Sequence, residues 1–261
     1  MLWSLVWHYS LVVRLMVEVI LVAVSRPLAG DGDPRRLVEL AVKTSSGKVK
    51  KHGWGHYLVV KRDDSKLNEW LVEAAEKFPS VLEHVVFTFA VDGVSRVTSH
   101  QLVRHRIASY TQESQRYSLI DDVDELFRVN EEVADRLVNN DVEGAAEILS
   151  KYFVIPSIWD WKDMWSYLNW LNGSLFLYAM LVRRGVEKED ARYVLPQAIK
   201  TRLLVTVNLR ELLHMGCVRL RKEAQWEIRE VIEKMFDKVY MELNIPIWKM
   251  KEAYCGGGDR W

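Results

Sequence analysis

The sequence predicts an α+β fold: one mixed domain, predominantly helical, around a small and mostly antiparallel sheet. Short β-branched segments such as MVEVILVAVS, VLEHVVFTFAVDGVS and TRLLVTVN are separated by longer stretches patterned at three and four, the helical period. The clearest of these is EAQWEIREVIEKMFDKVYMELN, where Ile228, Val231, Ile232, Met235, Phe236, Val239, Tyr240 and Leu243 fall on one face. A chain of 261 residues at 49% hydrophobic composition can build one large core or two small ones. The lack of an internal repeat or long linker favours one.

Along the chain, residues 1–15 are apolar. His8, Arg14 and Glu18 interrupt that run before ~18 uncharged residues accumulate, and no basic segment precedes it. Neither a membrane anchor nor a leader is expected; the stretch is an added helix or the product of an upstream start codon. The domain is expected over 16–250, its first strand at 16–24. Asp33 and Pro34 open a helix, with Pro34 at its first position. KVKKHGWGH reads as a mobile basic loop. LNEWLVEAAEKF is a helix ended by Pro79, and VLEHVVFTFAVDGVS a strand with a turn at Asp92-Gly93. VTSHQLVRHRIAS reads as a helix running into a loop. Helices follow in DDVDELFRVNEEVADRLVNND, VEGAAEILSKYF, WDWKDMWSYLNWLNGSLFLYAMLVRRG and VEKEDARYVLP. TRLLVTVN is a strand, and LRELLHMGC a helix that Asn208 can cap. Residues 251–261 are expected to be a flexible tail.

Lys plus Arg and Asp plus Glu both number 36, a formal charge of zero. A polyanion partner needs a basic excess, so nucleic acid is not expected, whereas a small phosphorylated ligand in a local basic pocket fits. Two cysteines are too few for a disulfide framework, no CxxC is present, and a metal site is not expected. A reducing cytoplasm follows. The unusual stretch is RHRIASYTQESQRYS at 104–118, where arginines and an imidazole are joined by small hydroxyls and amides. Those groups grip phosphates and base edges. On a regular helix Arg104 and Arg106 would diverge by about 200° and so serve two ligands, or two sides of one.

Arg104-His105-Arg106, seven residues, then Ser114 resembles the signature of the flavin-dependent (alternative) thymidylate synthases. SRVTSHQLVRHRIASYTQESQRYS continues the resemblance, as do SVLEHVVFTF, ARYVLP and TVNLRELLHMGCVRLRKEAQWEI, over roughly residues 65–120 and 152–245. The resemblance implies a thymidylate synthase-complementing-like fold and a homotetramer with shared active sites. It implies reductive methylation of dUMP to dTMP, with FAD as cofactor and methylenetetrahydrofolate and NADPH as co-substrates. Gln101, Arg104, Gln112, Glu113, Ser114, Gln115, Arg116, Arg192 and Arg219 would bind dUMP. Arg219, beside the pyrimidine ring, would be catalytic by polarising it. Ser80, Arg104, His105, Arg106, Gln112, Asn208, Arg210 and His214 would bind FAD, with no GxGxxG needed.

Plainer readings stand beside these. Ser114 lacks a visible base to activate it, which favours phosphate binding over covalent attack. Cys217 lies between apolar neighbours and reads as a packing thiol. Arg192 can pair with Glu189 or Asp190, Asn208 can be only a cap, and His84 a core histidine. The tryptophans of the long helix suit core and subunit packing. The chain departs from the family pattern at Phe78, where many relatives carry histidine, at Gln112 in place of glutamate, and in a helical insertion at about 120–150. An RNA- or nucleotide-binding module and a catalytically degenerate relative remain the alternatives.

Overall fold

The computed structural model describes residues 17–60, 62–116, 122–156 and 160–256; the expectation for residues 1–15 falls outside them. The described chain forms two compact units. One holds residues 17–94, 98–112 and the chain from Arg202 onward; the other holds 95–97 and 113–201. The second therefore takes in much more than the insertion expected at 120–150.

In the first unit, β1 (Glu18–Val24) is the strand read from its β-branched run. Helix α1 (Arg35–Ser45) starts after Pro34, and Asp33 Oδ1 accepts the Arg35 N–H at 2.9 Å. The basic glycine-rich stretch is helical where a mobile loop was expected. It forms α2 (Val49–His52) and α3 (Trp54–Val59), broken at Gly53, whose φ of 74° lets the chain turn between them. Helix α4 (Asp64–Lys77) is capped by Asp63, which accepts from the Ser65 N–H. Pro79 opens a 3-10 turn to His84.

Strand β2 (Val86–Ser95) continues through Asp92-Gly93, so the expected turn there does not form; Gly93 takes φ 76° within the strand. Helix α5 (Arg96–Leu102) stops before the Arg-His-Arg sequence, and β3 (Ala108–Gln112) replaces the loop expected after it. The second unit supplies α6 (Val123–Val138), α7 (Val142–Leu149), α8 (Trp161–Arg183) and α9 (Lys188–Ala191). Asp122, Asp141 and Asp160 cap the first three with side-chain oxygens. Leu126, Val129, Val133 and Leu137 share a core with Leu168, Leu171, Leu175 and Tyr178. The chain then returns through β4 (Lys200–Asn208), α10 (Leu209–Arg219), α11 (Trp226–Leu243) and α12 (Ile247–Gly256).

The sheet runs β1-β2-β4-β3. The β1/β2 and β3/β4 pairings are antiparallel, from Glu18 opposite Asp92 and from Ala108 opposite Val207. Period two puts Phe87, Phe89, Val91, Leu203, Val205 and Val207 into one core with Leu212, Leu213 and Met215 of α10 and Val231, Ile232, Met235 and Phe236 of α11. Their strand neighbours Ile20, Val22 and Leu204 stay exposed. No described helix is long and apolar enough to cross a membrane.

Two expectations about the C-terminal end are corrected. Cys217 is not a packing thiol: it is disulfide-bonded to Cys255, joining α10 to α12. With that bond present, the two cysteines do not point to a reducing compartment. The chain from residue 251 is also not loose as far as Gly256, because Tyr254 is buried in the core and Cys255 is bridged. The bond closes a sequence separation of 38 residues, so it should contribute about 2–4 kcal/mol, largely by restricting the unfolded chain. Cys255→Ser should lower the thermal midpoint by several degrees, and a reductant should lower the wild type alone; equal midpoints in all four states would contradict this.

Candidate active site

The site in the sheet-containing unit begins with a helix cap. Asn208 Oδ1 accepts the Glu211 N–H at 2.8 Å, fixing the first turn of α10. Glu211 and His214 lie three apart and so share a face of that helix. The helix lies close against α11: a Cβ on Gly216 would stand 2.4 Å from the Phe236 ring, so only glycine allows this approach.

The Arg-His-Arg sequence is not helical. Leu102 ends α5 and accepts the His105 N–H at 3.0 Å. His105 is buried, while Arg104 and Arg106 are exposed on either side of it in sequence. The divergence expected of the two arginines on a helix does not apply, because the chain leaves the helix at Leu102. Tyr110 in β3 donates its hydroxyl to the His105 carbonyl at 3.1 Å, tying the turn to the sheet. Burial, and then Glu211, raises the Tyr110 pKa, so the phenol keeps its proton.

At the centre, Arg219 Nε donates to His105 Nε2 at 3.0 Å. On the other edge of the ring, Glu211 Oε1 stands 3.4 Å from Nδ1. A neutral imidazole has one lone-pair nitrogen and one N–H. Here the lone pair must be Nε2 and the proton must sit on Nδ1, facing the carboxylate. The His214 ring meets His105 edge-on, 5.9 Å between centroids. Burial first lowers the His214 pKa, outweighing Glu211, and so favours the neutral ring. Burial and then Arg104 lower the Arg219 pKa, but a guanidinium stays charged at neutral pH.

His105, Glu211 and His214 offer ligand atoms within 4.8 Å of one another, close enough in distance to hold a metal ion. The chemistry of His105 is set otherwise. Its lone pair is taken by Arg219, so ligation through Nδ1 would need the imidazolate or loss of the arginine contact. The cluster is better built to hold a proton and a guanidinium.

Other predicted residues of this unit are spread more widely. Among the described residues neither Arg104 nor Arg106 pairs with a carboxylate. Gln112 donates to Ser99 Oγ at 2.9 Å. Arg210 is paired with Glu83 at 2.5 Å. Gln101 is half-buried on α5. Ser80 lines a hollow of about 590 Å³ with Leu37, Leu40, Trp54 and His84. Phe78, 57% exposed, borders a different cavity of about 240 Å³, where the Lys43 ammonium lies 3.8 Å from the Trp70 ring centroid.

The helical unit holds a second group. Arg96 donates to the Glu113 carbonyl at 3.0 Å. Burial and then the nearby Arg192 lower its pKa, so two guanidiniums stand close together. Arg192 Nε donates to the Glu189 carbonyl at 3.0 Å, and the Glu189 carboxylate pairs with Arg116 at 2.6 Å. The expected Arg192–Glu189 pairing is thus made through the backbone, leaving the carboxylate to Arg116. Ser114 Oγ accepts the Arg116 N–H at 3.3 Å. Gln115 Nε2 is buried without a hydrogen-bond partner among the described residues. A buried orphan amide costs free energy unless a ligand satisfies it.

A family model described as thymidylate synthase complementing protein matches residues 28–243. The chain belongs to that family. Among its relatives is the flavin-dependent thymidylate synthase of Pyrococcus furiosus, 45% identical over 163 residues, which are 61% of this chain and 57% of the relative. The chain thus spans little more than half the length of that relative. The enzyme of the same name from Sulfolobus acidocaldarius is 36% identical over 209 residues, covering 79% of this chain and 68% of the relative. Two solved structures share the fold. One is a flavin-dependent thymidylate synthase from Helicobacter pylori complexed with FAD and dUMP: TM-score 0.60, 21% identity, 87% of this chain and 97% of that one. The other is a UMP/dUMP methylase from Streptomyces cacaoi bound with 5-Br dUMP: TM-score 0.61, 20% identity, 93% and 96%.

Sequence reasoning missed Glu211, Tyr110 and Arg96. Asn208-x-x-Glu211 was a usable signal, since it has the form of a capping box, in which the glutamate reaches back to the cap. Here the carboxylate turns to His105 instead. Arg96, next to a strand end, carries no sequence mark. The depressed His214 pKa has a consequence for stability. The unfolded ring, at 6.5, takes up protons first, so stability is full above that pH and falls as the medium is acidified. Thermal midpoints measured from about pH 7.5 to about pH 5 should drop less in His214→Gln than in the wild type; parallel curves would contradict the assignment.

Proposed function

We propose that this protein is a flavin-dependent thymidylate synthase. It would convert dUMP, methylenetetrahydrofolate and NADPH, with one proton, into dTMP, tetrahydrofolate and NADP+. Family membership and the names of the relatives support the reaction class. The observation that carries the reading to particular residues is Arg219, a half-buried guanidinium with no carboxylate partner among the described residues, anchored on the histidine of the Arg-His-Arg sequence.

FAD, when bound, supplies hydride transfer between NADPH and the carbon being reduced. The donor set suits such a group: Arg104 and Arg106 are exposed cations without carboxylate partners among the described residues, fitted to a pyrophosphate. Asn208, His214, Ser80 and Gln112 are further candidates. Arg210 would have to exchange its Glu83 partner. His105 has both ring nitrogens facing groups of its own chain, so its part is to hold Arg219 rather than to touch the flavin.

For dUMP, Ser114, Gln115, Arg116 and Arg192 would take the phosphate, with Gln115 Nε2 gaining a partner that it lacks among the described residues. Phosphate would compete with Glu189 for Arg116. Gln101, Arg104 and Glu113 would complete the nucleotide contacts. Arg219 beside the pyrimidine would stabilise negative charge on its carbonyl edge and raise electron density at C5. That electrostatic activation replaces an attacking side chain. Cys217 is excluded as a nucleophile by its disulfide.

The exposed apolar face of the sheet, with Ile20, Val22 and Leu204, supports assembly into the homotetramer that the resemblance implies. On the resemblance alone we place the protein in the cytoplasm. An RNA-binding module is disfavoured by zero net charge, and a degenerate relative by the retained Arg116, Arg192 and Arg219. Purified protein should carry flavin absorbance that bleaches when NADPH is added without oxygen. Colourless protein that cannot be reconstituted with FAD would refute the proposal.

A further inference from the structure

We infer that Glu211 is a positioning residue for the pyrimidine-binding arginine, acting through His105 to orient Arg219. The inference rests on the reading of Arg219 as a dUMP ligand. It is carried by a three-group chain inside one compact unit: Glu211 Oε1 at 3.4 Å from His105 Nδ1, and His105 Nε2 at 3.0 Å from Arg219 Nε. Both inner groups are buried, Glu211 at 6% and His105 at 6% exposure.

Each link follows from elementary chemistry. A carboxylate beside Nδ1 repels a lone pair there and attracts a proton. It therefore selects the tautomer with the proton on Nδ1 and the lone pair on Nε2. That lone pair can accept from Arg219; the other tautomer would set an N–H against an N–H. The buried carboxylate also polarises the ring, making Nε2 a stronger acceptor. Arginine has five N–H donors in a rigid plane. Binding Nε–H to a fixed imidazole restrains that plane and leaves the donors of the two terminal nitrogens for a ligand. Glu211 is itself held by the Asn208 cap at its own N–H, and the first turn of a helix favours its negative charge.

The decisive measurement is a double-mutant cycle read in dUMP affinity, by calorimetry on the flavin-loaded full-length protein, with thermal midpoints and flavin content as controls. Glu211→Gln keeps the shape and removes the charge, and its amide can donate to Nδ1 and reverse the tautomer. It should weaken dUMP binding roughly tenfold, as should Arg219→Ala. The double variant should be no weaker than Arg219→Ala alone, because Glu211 acts only through that guanidinium. Fully additive losses would overturn the positioning role and leave the reading of Arg219 intact. An Arg219→Ala variant that binds dUMP normally would instead overturn that reading. Should Glu211→Gln fail to fold, Arg219→Lys tests the same link, since it keeps the charge and loses the Nε donor. It should bind about as weakly as Arg219→Ala, and wild-type affinity would overturn the inference.

Discussion

The hydrogen bond from Arg219 to His105 joins the turn after α5 to the end of α10, and most of what surrounds it serves to hold its two ends in place. Tyr110 ties the His105 carbonyl to β3. The Asn208 cap sets the start of α10, Gly216 lets that helix close on Phe236, and the Cys217–Cys255 bond holds it to α12. A helix placed so firmly can present a charged side chain at its last turn with little freedom. The helix end itself favours a cation there.

An arginine kept half-buried beside another arginine, and given an imidazole instead of a carboxylate, carries a positive charge that no carboxylate among the described residues pairs with. Burial and Arg104 both act against that charge. Such an arrangement costs stability and suits a ligand with negative or polarisable oxygen. In the helical unit, burial and the neighbouring Arg192 likewise lower the Arg96 pKa, while Glu113 acts the other way.

Much of the fold was legible because its signals are local. The periodicity of 226–243, the Asn208 cap and the β-branched run of β4 marked helices and a strand near their observed ends. The errors share a cause: tertiary contacts overrode local chemistry. Asp92-Gly93 looked like a turn, but β1 pairs with the strand as far as Asp92 and the strand runs on to Ser95. The stretch after Arg-His-Arg looked like a polar loop, but β4 offered it a partner from Ala108 to Gln112. The chain at 251–256 looked loose, but Cys255 is bridged to Cys217, a pairing that a separation of 38 residues conceals. At the candidate site the residue types were legible through the resemblance, while their contacts were not. Glu211 was hidden because its position already had an adequate explanation as part of a helix start.

The account turns on which nitrogen of His105 carries the proton. Nitrogen NMR of the full-length protein labelled at its histidine rings, with His105→Gln to assign the signals, reads this directly at neutral pH. The ring should be neutral, protonated at Nδ1 and bare at Nε2, with that state lost in Glu211→Gln. A proton on Nε2 in the wild type would contradict it, because Arg219 would then have no acceptor to hold it.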